Sequence, residues 1–586
     1  MGAFIICKKN KMSDVKPALD LFAEMGFASP TSFEIGKRVI YAYPKMAAND
    51  TNIVSDNGYT LISAGTPIYK GLDYTDSLSA LLHDFMSDGI HHEQLIGQYT
   101  ILFCHGNTIE ILCDPLGCKH MFTDVNHSML SSHMLPICQC IDGDLHINRR
   151  AFYEKLLTGI IMPPNTMFEE IIQIDKQIAE RMNHEDQGIK FISLDRFCVS
   201  KSSKKTMKEC LAEQADTLRK YFELLNNAGK DGIDIGLSGG YDSRLVLACL
   251  NKYCKRKIHL HSHATENDHR KDLMIANQMA DYIGVPCHTV ATKKLCHCDH
   301  ADEVLRKSVL YFDGRSSFSI GGCGEVYTAS YRKESTECTP FTMTGVGGEL
   351  YRNVFDIGFQ NIHFDRFMEA KVFSLSFRKA ISDDLYRELK DDIITRAASR
   401  LGIDGKSRQS KAIAHRYYCE IMMPDGQGVA LDAYNQVSCC VAPFLEPRII
   451  AKGYEAIPHH HSGGEFEGKL INLIDPGLAA LPSSYGYPIG KRPVKAKIKE
   501  SLRTYLPSST WERLSAVLMK KDKFKINSAL KVLYANSQTL KKAYSFMIEL
   551  FPEIDFTCLL HSGEDIRKCQ FVAMTLYQYR ERIKAN

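Results

Sequence analysis

Residues 234–250 read DIGLSGGYDSRLVLACL and contain two apolar runs joined by a short turn. The first run ends at Leu237 and has the length of a buried strand, whereas the second begins near Ser243 and has the length of a helix. A serine and two adjacent glycines open the turn between them. The stretch therefore predicts a buried β-strand that passes through a glycine turn directly into a helix.

The segments around this stretch alternate between helix and strand patterns. Helical spacing is found in residues 206–229, 242–253 and 270–284, and strand patterns are found in residues 257–264, 286–292 and 341–353. Strands that alternate with helices predict βαβ units and a parallel sheet. Beyond this region the chain is mainly helical.

The chain before residue 196 has a different pattern. Short β-type runs broken by Gly, Asn and Asp occur at RVIYAY (38–43), YTLISAG (59–65), QYTILFCHGNTIEILCD (98–114) and IKFISLD (189–195). The third run predicts a hairpin with HGN as its turn. From about residue 500 the sequence is amphipathic helix with Lys-rich faces. These shifts predict three domains, at residues 1–195, 206–500 and 501–586.

Composition excludes several classes of protein. The 586 residues include 72 Lys and Arg against 69 Asp and Glu, so the charge balance does not call for nucleic acid or an anionic membrane. No run of about 18 apolar residues exists, so we expect no membrane insertion. The first residues lack a secretory signal, and the 20 Cys are therefore expected to be reduced thiols in a cytoplasmic protein.

The turn itself has the composition of an anion cradle. In a parallel α/β sheet, ligands bind at the carboxyl ends of the strands. Gly239 and Gly240 let the backbone approach an anion closely, and the start of the next helix offers N–H groups with partial positive charge. Ser238 and Ser243 add hydroxyl donors. Asp242 has the wrong sign to touch phosphate, which predicts a Mg²⁺ ion between the two. A tight turn without a ligand is the alternative interpretation.

With these residues in view, the sequence resembles the asparagine synthetase family. GLSGGYDSRLVLA (236–248) looks like the pyrophosphate-binding loop of enzymes that adenylate a carboxylate, and it is neither a Walker loop nor a dinucleotide fingerprint. Weaker matches follow in order between about residues 90 and 500. They are LIGQYTILF (95–103), IEILCDPLGCKHMFTD (109–124), LHINRRAFYEKLLTGIIMPPNTMFEEIIQID (145–175), TGVGGELYRN (344–353) and VAPFLEPRIIAKGYEAIP (441–458).

The resemblance implies both a fold and a reaction. The fold is α/β and α+β: an αββα domain of the N-terminal-nucleophile type, here a degenerate class II glutaminase-like domain (1–195), then an ATP-binding parallel-sheet domain of the adenine-nucleotide α-hydrolase type (206–500) and a helical extension (501–586). In the implied reaction, a carboxylate attacks the α-phosphate of Mg-ATP and releases pyrophosphate. Ammonia or an amine then attacks the acyl-adenylate, which gives an amide and AMP.

The resemblance also implies site residues. Those that would bind ATP and its pyrophosphate are Leu237, Ser238, Gly239, Gly240, Asp242, Ser243, His261, Gly345 and Gly347.

The resemblance implies catalytic roles for Asp242, Glu349 and Lys491. Asp242 and Glu349 would hold Mg²⁺, with Glu349 at the position of an Asp in the family. Lys491, in LPSSYGYPIGKRP (481–493), would neutralise charge that grows on the α-phosphate. It stands about one residue further along than the family spacing, and an exposed basic loop is its alternative interpretation.

Two departures from the family pattern affect the expected function. A working glutaminase of this class begins Met-Cys-Gly and uses the amine of the exposed Cys as its base. This sequence begins MGAFIIC, so we expect no glutamine hydrolysis. In the second loop, asparagine synthetases have Glu and β-lactam-forming relatives have Tyr, whereas this chain has Val346, which cannot deprotonate an amine.

The sequence thus predicts an ATP-dependent, AMP-forming ligase that joins ammonia or an amine to a carboxylate, without its own glutaminase. Its cofactors would be ATP and Mg²⁺, and its substrate a small-molecule or peptide carboxylate. Two alternatives stay open. One is an intramolecular amide-forming cyclase of the β-lactam or lasso-peptide type, and the other is an inactive nucleotide-binding partner subunit. A homodimer or a pathway partner is left open as well.

Overall fold

The computed structural model describes residues 2–47, 51–192, 204–264, 270–291, 300–315, 328–335, 339, 341–357, 362–406, 408–409, 411–461, 463–489, 493–494, 498, 537–559 and 563–584. Within these residues, no helix is both long enough and apolar enough to cross a membrane.

The N-terminal region contains two β-sheets and their flanking helices. The strands are β1 (Ala3–Lys8), β2 (Thr31–Ile35), β3 (Arg38–Tyr43), β4 (Ile53–Asp56), β5 (Tyr59–Gly65), β6 (Ile68–Tyr69), β7 (Leu95–Ile96), β8 (Tyr99–His105), β9 (Thr108–Cys113), β10 (Phe122–Asp124), β11 (Met129–Ser131), β12 (Ile171–Gln173) and β13 (Ile189–Ile192). The helices are α1 (Lys16–Met25), α2 (Tyr74–Met86), α3 (Met134–Cys140), α4 (Arg149–Thr158) and α5 (Lys176–Glu185).

These elements form four layers. One sheet has the strand order β12-β10-β11-β1-β3-β2, and the other has the order β13-β9-β8-β5-β4. Successive side chains of β1 point to opposite faces of its sheet, as in any strand. Phe4 and Ile6 pack into the core that contains the second sheet and α2, whereas Ile5 and Cys7 pack with α1 and α3. The order of layers is therefore helix, sheet, sheet, helix.

The next region is built on a parallel sheet. Its strands are β14 (Ile233–Gly236), β15 (Ile258–Ala264), β16 (Cys287–Ala291), β17 (Phe341–Met343) and β20 (Cys439–Val441), and a separate small ribbon pairs β18 (Ile362–His363) with β19 (Arg408–Gln409). The helices are α6 (Met207–Leu224), α7 (Asp242–Tyr253), α8 (Arg270–Ile283), α9 (Ala301–Tyr311), α10 (Ala329–Ser335), α11 (Phe364–Phe367), α12 (Leu375–Ala380), α13 (Asp383–Arg400), α14 (Lys411–Tyr417), α15 (Gly428–Val437), α16 (Pro447–Glu455), α17 (Glu465–Ile474) and α18 (Pro476–Ala480).

The strand order of this sheet determines where a ligand can bind. The order is β16-β15-β14-β17-β20, and all neighbours are parallel. From β14 the chain first builds outward through β15 and β16, and then returns to add β17 on the other side of β14. The loops that follow β14 and β17 therefore diverge at a topological switch point, which is where open α/β sheets form their binding crevice.

The C-terminal helices bridge the two regions. They are α19 (Gln538–Leu550), α20 (Phe556–Leu559) and α21 (Gly563–Gln578). Beyond α21, the Arg582 guanidinium donates to the carbonyls of Cys138 at 2.5 Å and Gly143 at 3.2 Å, and Ile583 forms a β-bridge with Leu145. These helices share one apolar core with α1, α3 and α9.

The fold class expected from the sequence is confirmed as α/β and α+β, with an N-terminal sheet region followed by a parallel-sheet region. The hairpin at HGN forms between β8 and β9, and each strand and helix expected between residues 206 and 292 is present. Helix α6 starts at a capping box, because Thr206 and Glu209 each accept a hydrogen bond from the other's backbone N–H. The Lys-rich stretch expected from residue 500 falls in 501–536, which lies outside the described residues.

Candidate active site

The turn after β14 is closed by its two serines. The strand ends at Gly236 and α7 begins at Asp242. The Ser243 hydroxyl oxygen lies 3.1 Å from the Ser238 backbone nitrogen and 3.0 Å from the Ser238 hydroxyl. Tyr241, the residue before α7, makes no side-chain cap among the described residues, so N–H groups of the first turn are available to a ligand or to water. An anion bound here would satisfy them.

The two glycines of the turn serve different purposes. Gly239 donates its N–H to Asp272 at 3.1 Å, and a Cβ at this position would lie 2.5 Å from the same carboxylate oxygen. Gly239 is therefore required by packing. Among the described residues, a Cβ at Gly240 would meet only the Ser238 hydroxyl, at 3.4 Å, so they leave the space above Gly240 open. The turn is thus closed on one side and accessible on the other.

The second glycine loop lies directly against the first. It follows β17 and leads into a short helical turn over residues 348–351. A Cβ at Gly345 would lie 2.9 Å from the backbone carbonyl carbon of Asp242, and a Cβ at Gly348 would lie 2.2 Å from an Asp242 carboxylate oxygen. Gly347 has φ +90°, a conformation that favours glycine. The fold therefore brings the residues expected from the two loops together at the switch point.

An arginine connects the first loop to a distant helix. Arg352 Nη2 donates to Asp242 Oδ1 and, at 2.9 Å, to Oε2 of Glu467 on α17, and Arg352 Nε donates to the same oxygen at 3.0 Å. Burial raises the pKa of Asp242 and raises that of Glu467 well above its ordinary value, while Arg352 opposes both shifts. Asp242 keeps 28% side-chain exposure, whereas Glu467 has none. The carboxylate of Asp242 can therefore still reach a ligand.

Glu349 is held by a tyrosine. The Tyr418 hydroxyl donates to Glu349 Oε2 at 2.9 Å, and burial followed by the nearby Glu349 charge raises the pKa of Tyr418 well above its ordinary value. Tyr418 therefore stays a neutral donor. The backbone next to Glu349 is fixed from a further helix, because His415 Nε2 lies 2.6 Å from the Leu350 carbonyl oxygen. Among the described residues, no group of three or more His, Cys, Asp or Glu side chains is arranged to hold a metal.

His261 is placed beneath the turn. Its side chain is buried, and its Nδ1 lies 2.7 Å from an Asp234 carboxylate oxygen on the neighbouring strand. Its carbonyl accepts a hydrogen bond from Leu237 N at 2.7 Å, and the Ser262 hydroxyl donates to the Leu237 carbonyl at 2.9 Å. This strand end therefore positions Leu237 through its backbone, while the imidazole is engaged with Asp234. A contact of His261 with adenine stays a prediction.

Lys491 lies outside the described residues, but the chain that leads to it reaches the first loop. Ser484 N donates to the Gly239 carbonyl at 2.9 Å, and the Tyr485 ring centroid lies 5.2 Å from that of Tyr241. The side chain of Arg244, fully buried, donates to the carbonyls of Leu478, Leu481 and Pro482 and so holds the beginning of this segment.

Three residues of this site were not expected from the sequence. Arg352 stands three positions after Glu349, within a motif that was recognised for its glycines and its acid. Tyr418 and Glu467 come from other helices, and no sequence motif marks them. Glu467 is 115 positions from the arginine that it binds, so the contact joins two segments that are distant in sequence.

The comparisons with known proteins agree with this geometry. The family model described as asparagine synthase matches residues 234–316, the segment that begins with β14 and the serine-glycine turn. No curated protein matches the chain. At the family level the matched domain belongs to ligases that use ATP to form amides. The match covers residues 234–316, and this segment of the chain is therefore similar to the asparagine synthase family.

Proposed function

We propose that the protein is an ATP-dependent, AMP-forming ligase that adenylates a small-molecule or peptide carboxylate and transfers the acyl group to ammonia or an amine. The observation that carries this proposal is the contact of the two glycine loops at the switch point. That contact brings an uncapped helix start, Asp242 and the loop of Glu349 together. The α-phosphate would be attacked by the substrate carboxylate with release of pyrophosphate, and the amine would then displace AMP from the acyl carbon.

The residues present fit a magnesium-bound triphosphate. Gly240 leaves open space beside the N–H groups of α7, which suits the close approach of an anion. Asp242 and Glu349 would hold Mg²⁺, which usually takes one or two carboxylates and completes its shell with phosphate oxygens and water. When bound, Mg²⁺ would supply charge neutralisation on the phosphates. Ser238 and Ser243 would donate hydrogen bonds to the pyrophosphate, and Lys491 would bind the α-phosphate.

The absence of glutaminase activity is part of this proposal and has its own support. A Cβ at Gly2 would lie 2.3 Å from the Pro44 carbonyl oxygen and 2.8 Å from the Phe27 ring, so no larger side chain fits there without movement. Cys7, further along β1, is fully buried, and burial raises its pKa to about 11. A thiol with such a pKa is not a ready nucleophile. Free ammonia or an amine would therefore be the nitrogen source.

An intramolecular cyclase is a second candidate because of Val346. This residue is half-buried, and its side chain packs against the apolar core. It offers no group that could take a proton from an amine or bind a small polar substrate. A large substrate that carries its own amine could be positioned by contacts elsewhere in the site. Such a substrate would not need a polar side chain of the second loop to bind the amine. We also propose a cytoplasmic location, since buried cysteines such as Cys7, Cys104 and Cys138 are thiols in the structure.

The test is ATP–pyrophosphate exchange in the presence of Mg²⁺ over aspartate and a pool of small and peptide acids. We expect exchange that depends on one acid and falls at least a hundredfold in Asp242→Asn, since that change removes a charge from the metal site. Arg387→Gln, in an exposed ion pair with Asp384 on α13, is the control for loss of a charged residue. Binding of Mg-ATP without exchange for any acid would favour an inactive nucleotide-binding subunit. No binding of ATP would contradict the assignment of the turn at Ser238.

A further inference from the structure

Arg352 places a permanent positive charge against the first loop. Its guanidinium contacts Asp242 in the loop, and its central carbon lies 5.5 Å from the centroid of the Tyr241 ring. Three carboxylates surround it, from Asp242, Glu467 and, at longer range, Glu349. Burial alone would lower the pKa of Arg352, but these carboxylates raise it overall, so the group stays charged at any working pH.

The contacts of Arg352 are of two kinds. The hydrogen bonds to Glu467 form a tether, whereas the hydrogen bond to Asp242 can be exchanged for another partner. Glu467 is fully buried and accepts from both Nε and Nη2, which fixes the guanidinium from the side of α17. Asp242 accepts from Nη2 only and is partly exposed. If Asp242 turned toward a metal ion, the two bonds to Glu467 would keep Arg352 in place. Glu467 therefore anchors Arg352 from a helix outside the loop that would bind the ligand.

One edge of the guanidinium remains available. Among the described residues, all hydrogen bonds of Arg352 come from Nε and Nη2, and none comes from Nη1. The side chain retains 17% exposure. A planar guanidinium with a free N–H edge is well suited to bind phosphate oxygens, because its donors are fixed in direction and never lose their charge.

We propose that Arg352 is a resident cation of the phosphate site: Glu467 holds it, and its free edge binds the polyphosphate next to the helix start of α7. The site would then obtain part of its positive charge from the chain itself and depend less on divalent metal for binding. This inference rests on the proposed function, since it concerns the same phosphate site. It adds that inorganic pyrophosphate binds with measurable affinity when magnesium is absent.

The test measures the affinity for inorganic pyrophosphate by calorimetry, in EDTA and in Mg²⁺, on the full chain. Since Arg352→Gln would leave Glu467 buried without its partner, the main variant is Arg352→Gln combined with Glu467→Gln. We expect this variant to bind pyrophosphate roughly ten- to a hundredfold more weakly in EDTA, the range for loss of a charged hydrogen bond, and with a smaller loss in Mg²⁺. Arg352→Lys keeps the charge but not the planar arrangement of donors. Its affinity for pyrophosphate should lie between those of the unaltered protein and the double variant.

The control is Arg400→Gln, because Arg400 has 16% side-chain exposure and also binds a buried carboxylate, that of Asp425, which lines a cavity with His120 of the N-terminal region. Equal or tighter pyrophosphate binding by the Arg352 and Glu467 double variant would overturn the inference and leave the proposed function intact. No binding of pyrophosphate or ATP by the unaltered protein, with or without Mg²⁺, would overturn both. An equal loss in the Arg400 variant would show a general effect and would also overturn the inference.

Discussion

At the residue scale, Asp242 is the point on which the surrounding loops converge. A Cβ at Gly348 would collide with the Asp242 carboxylate, and a Cβ at Gly345 would collide with the Asp242 backbone. Both positions of the second loop must therefore be glycine for this contact. Burial raises the pKa of Asp242, and the positive charge of Arg352 opposes that shift. The geometry of Asp242 is therefore set by contacts from residues 345–352, and Glu467 holds Arg352 of that segment in place.

Because of these contacts, we expect substitution of Gly348 to affect mainly stability and substitution of Gly240 to affect mainly pyrophosphate binding. Gly348→Ala would place a methyl group 2.2 Å from the Asp242 carboxylate, and we expect it to lower the free energy of unfolding by about 1–3 kcal/mol, as overpacking does. In the part of the chain that the structure describes, the methyl group of Gly240→Ala would meet only the Ser238 hydroxyl, at 3.4 Å, so its effect on stability should be about 0.5 kcal/mol or less. Its methyl group would instead occupy the open space, so pyrophosphate affinity should fall. Urea unfolding and calorimetry measure the two quantities.

The comparison of these two variants separates packing from binding. Stability that falls equally in both would mean that Gly240 is also needed for packing. Unchanged pyrophosphate affinity in Gly240→Ala would mean that the ligand does not approach this part of the turn, and the assignment of the cradle would then be wrong.

The sequence reveals the residues of the loops more readily than their partners. Ser238, Gly239 and Asp242 lie within one short motif whose spacing carries a chemical meaning. Arg352 can be recognised as part of the site only when its contact with Glu467 is known, and the sequence around either residue does not indicate that contact. Contacts between segments far apart in sequence depend on helix packing, which periodicity does not determine.

At the element scale, the second loop is held by a buried histidine on α14. His415 Nε2 lies 2.6 Å from the Leu350 carbonyl oxygen, and its Nδ1 lies 3.5 Å from the sulfur of Cys419. Burial lowers the pKa of His415 from its ordinary 6.5 to about 4. His460, whose ring centroid is 5.4 Å away, has its pKa lowered well below the ordinary value for the same reason. The loop that carries Glu349 thus rests on neutral imidazoles.

The buried histidine makes this part of the fold sensitive to acid. Between pH 6.5 and pH 4 the unfolded chain binds a proton at residue 415 and the folded chain does not, so the free energy of unfolding falls as the pH falls. The slope from His415 alone is at most about 1.4 kcal/mol per pH unit. We expect His415→Gln, whose amide can still donate to Leu350, to lack this contribution.

The measurement is the difference in unfolding free energy between the unaltered protein and His415→Gln at pH 7.5, 5.5 and 4.5. Carboxylates such as Glu446, whose pKa is raised to about 7, titrate in both proteins and cancel in the difference. The advantage of the unaltered protein should shrink as the pH falls. A constant difference would mean that His415 has the same pKa in both states.

At the scale of the whole molecule, one apolar core joins regions that are far apart in sequence. Phe551, at the end of α19, stacks on Phe152 of α4 with ring centroids 3.6 Å apart, and the Arg149 guanidinium lies 4.6 Å from the same ring. The amphipathic pattern of these helices predicted that they have a buried face, but not which surface covers it. Helical periodicity identifies the apolar side of a helix and leaves its partner undetermined.

The shared core should make the C-terminal helices necessary for the stability of the N-terminal region. We expect Phe551→Ala to lower the free energy of unfolding by about 3–5 kcal/mol, because it removes a fully buried ring and leaves a cavity on the α4 side of the junction. Ile548→Ala, on the same helix but 45% exposed, should lower the free energy of unfolding far less and serves as the control.

Thermal unfolding by circular dichroism compares the stability of the two variants, and limited proteolysis near α4 reports on the N-terminal region. Equal costs in both variants, or faster cleavage confined to residues after 537, would mean that α19 packs as an independent appendage. Faster cleavage near α4 in Phe551→Ala alone would instead mean that the C-terminal helices stabilise the N-terminal region, since the Phe551 ring stacks directly on Phe152 of α4.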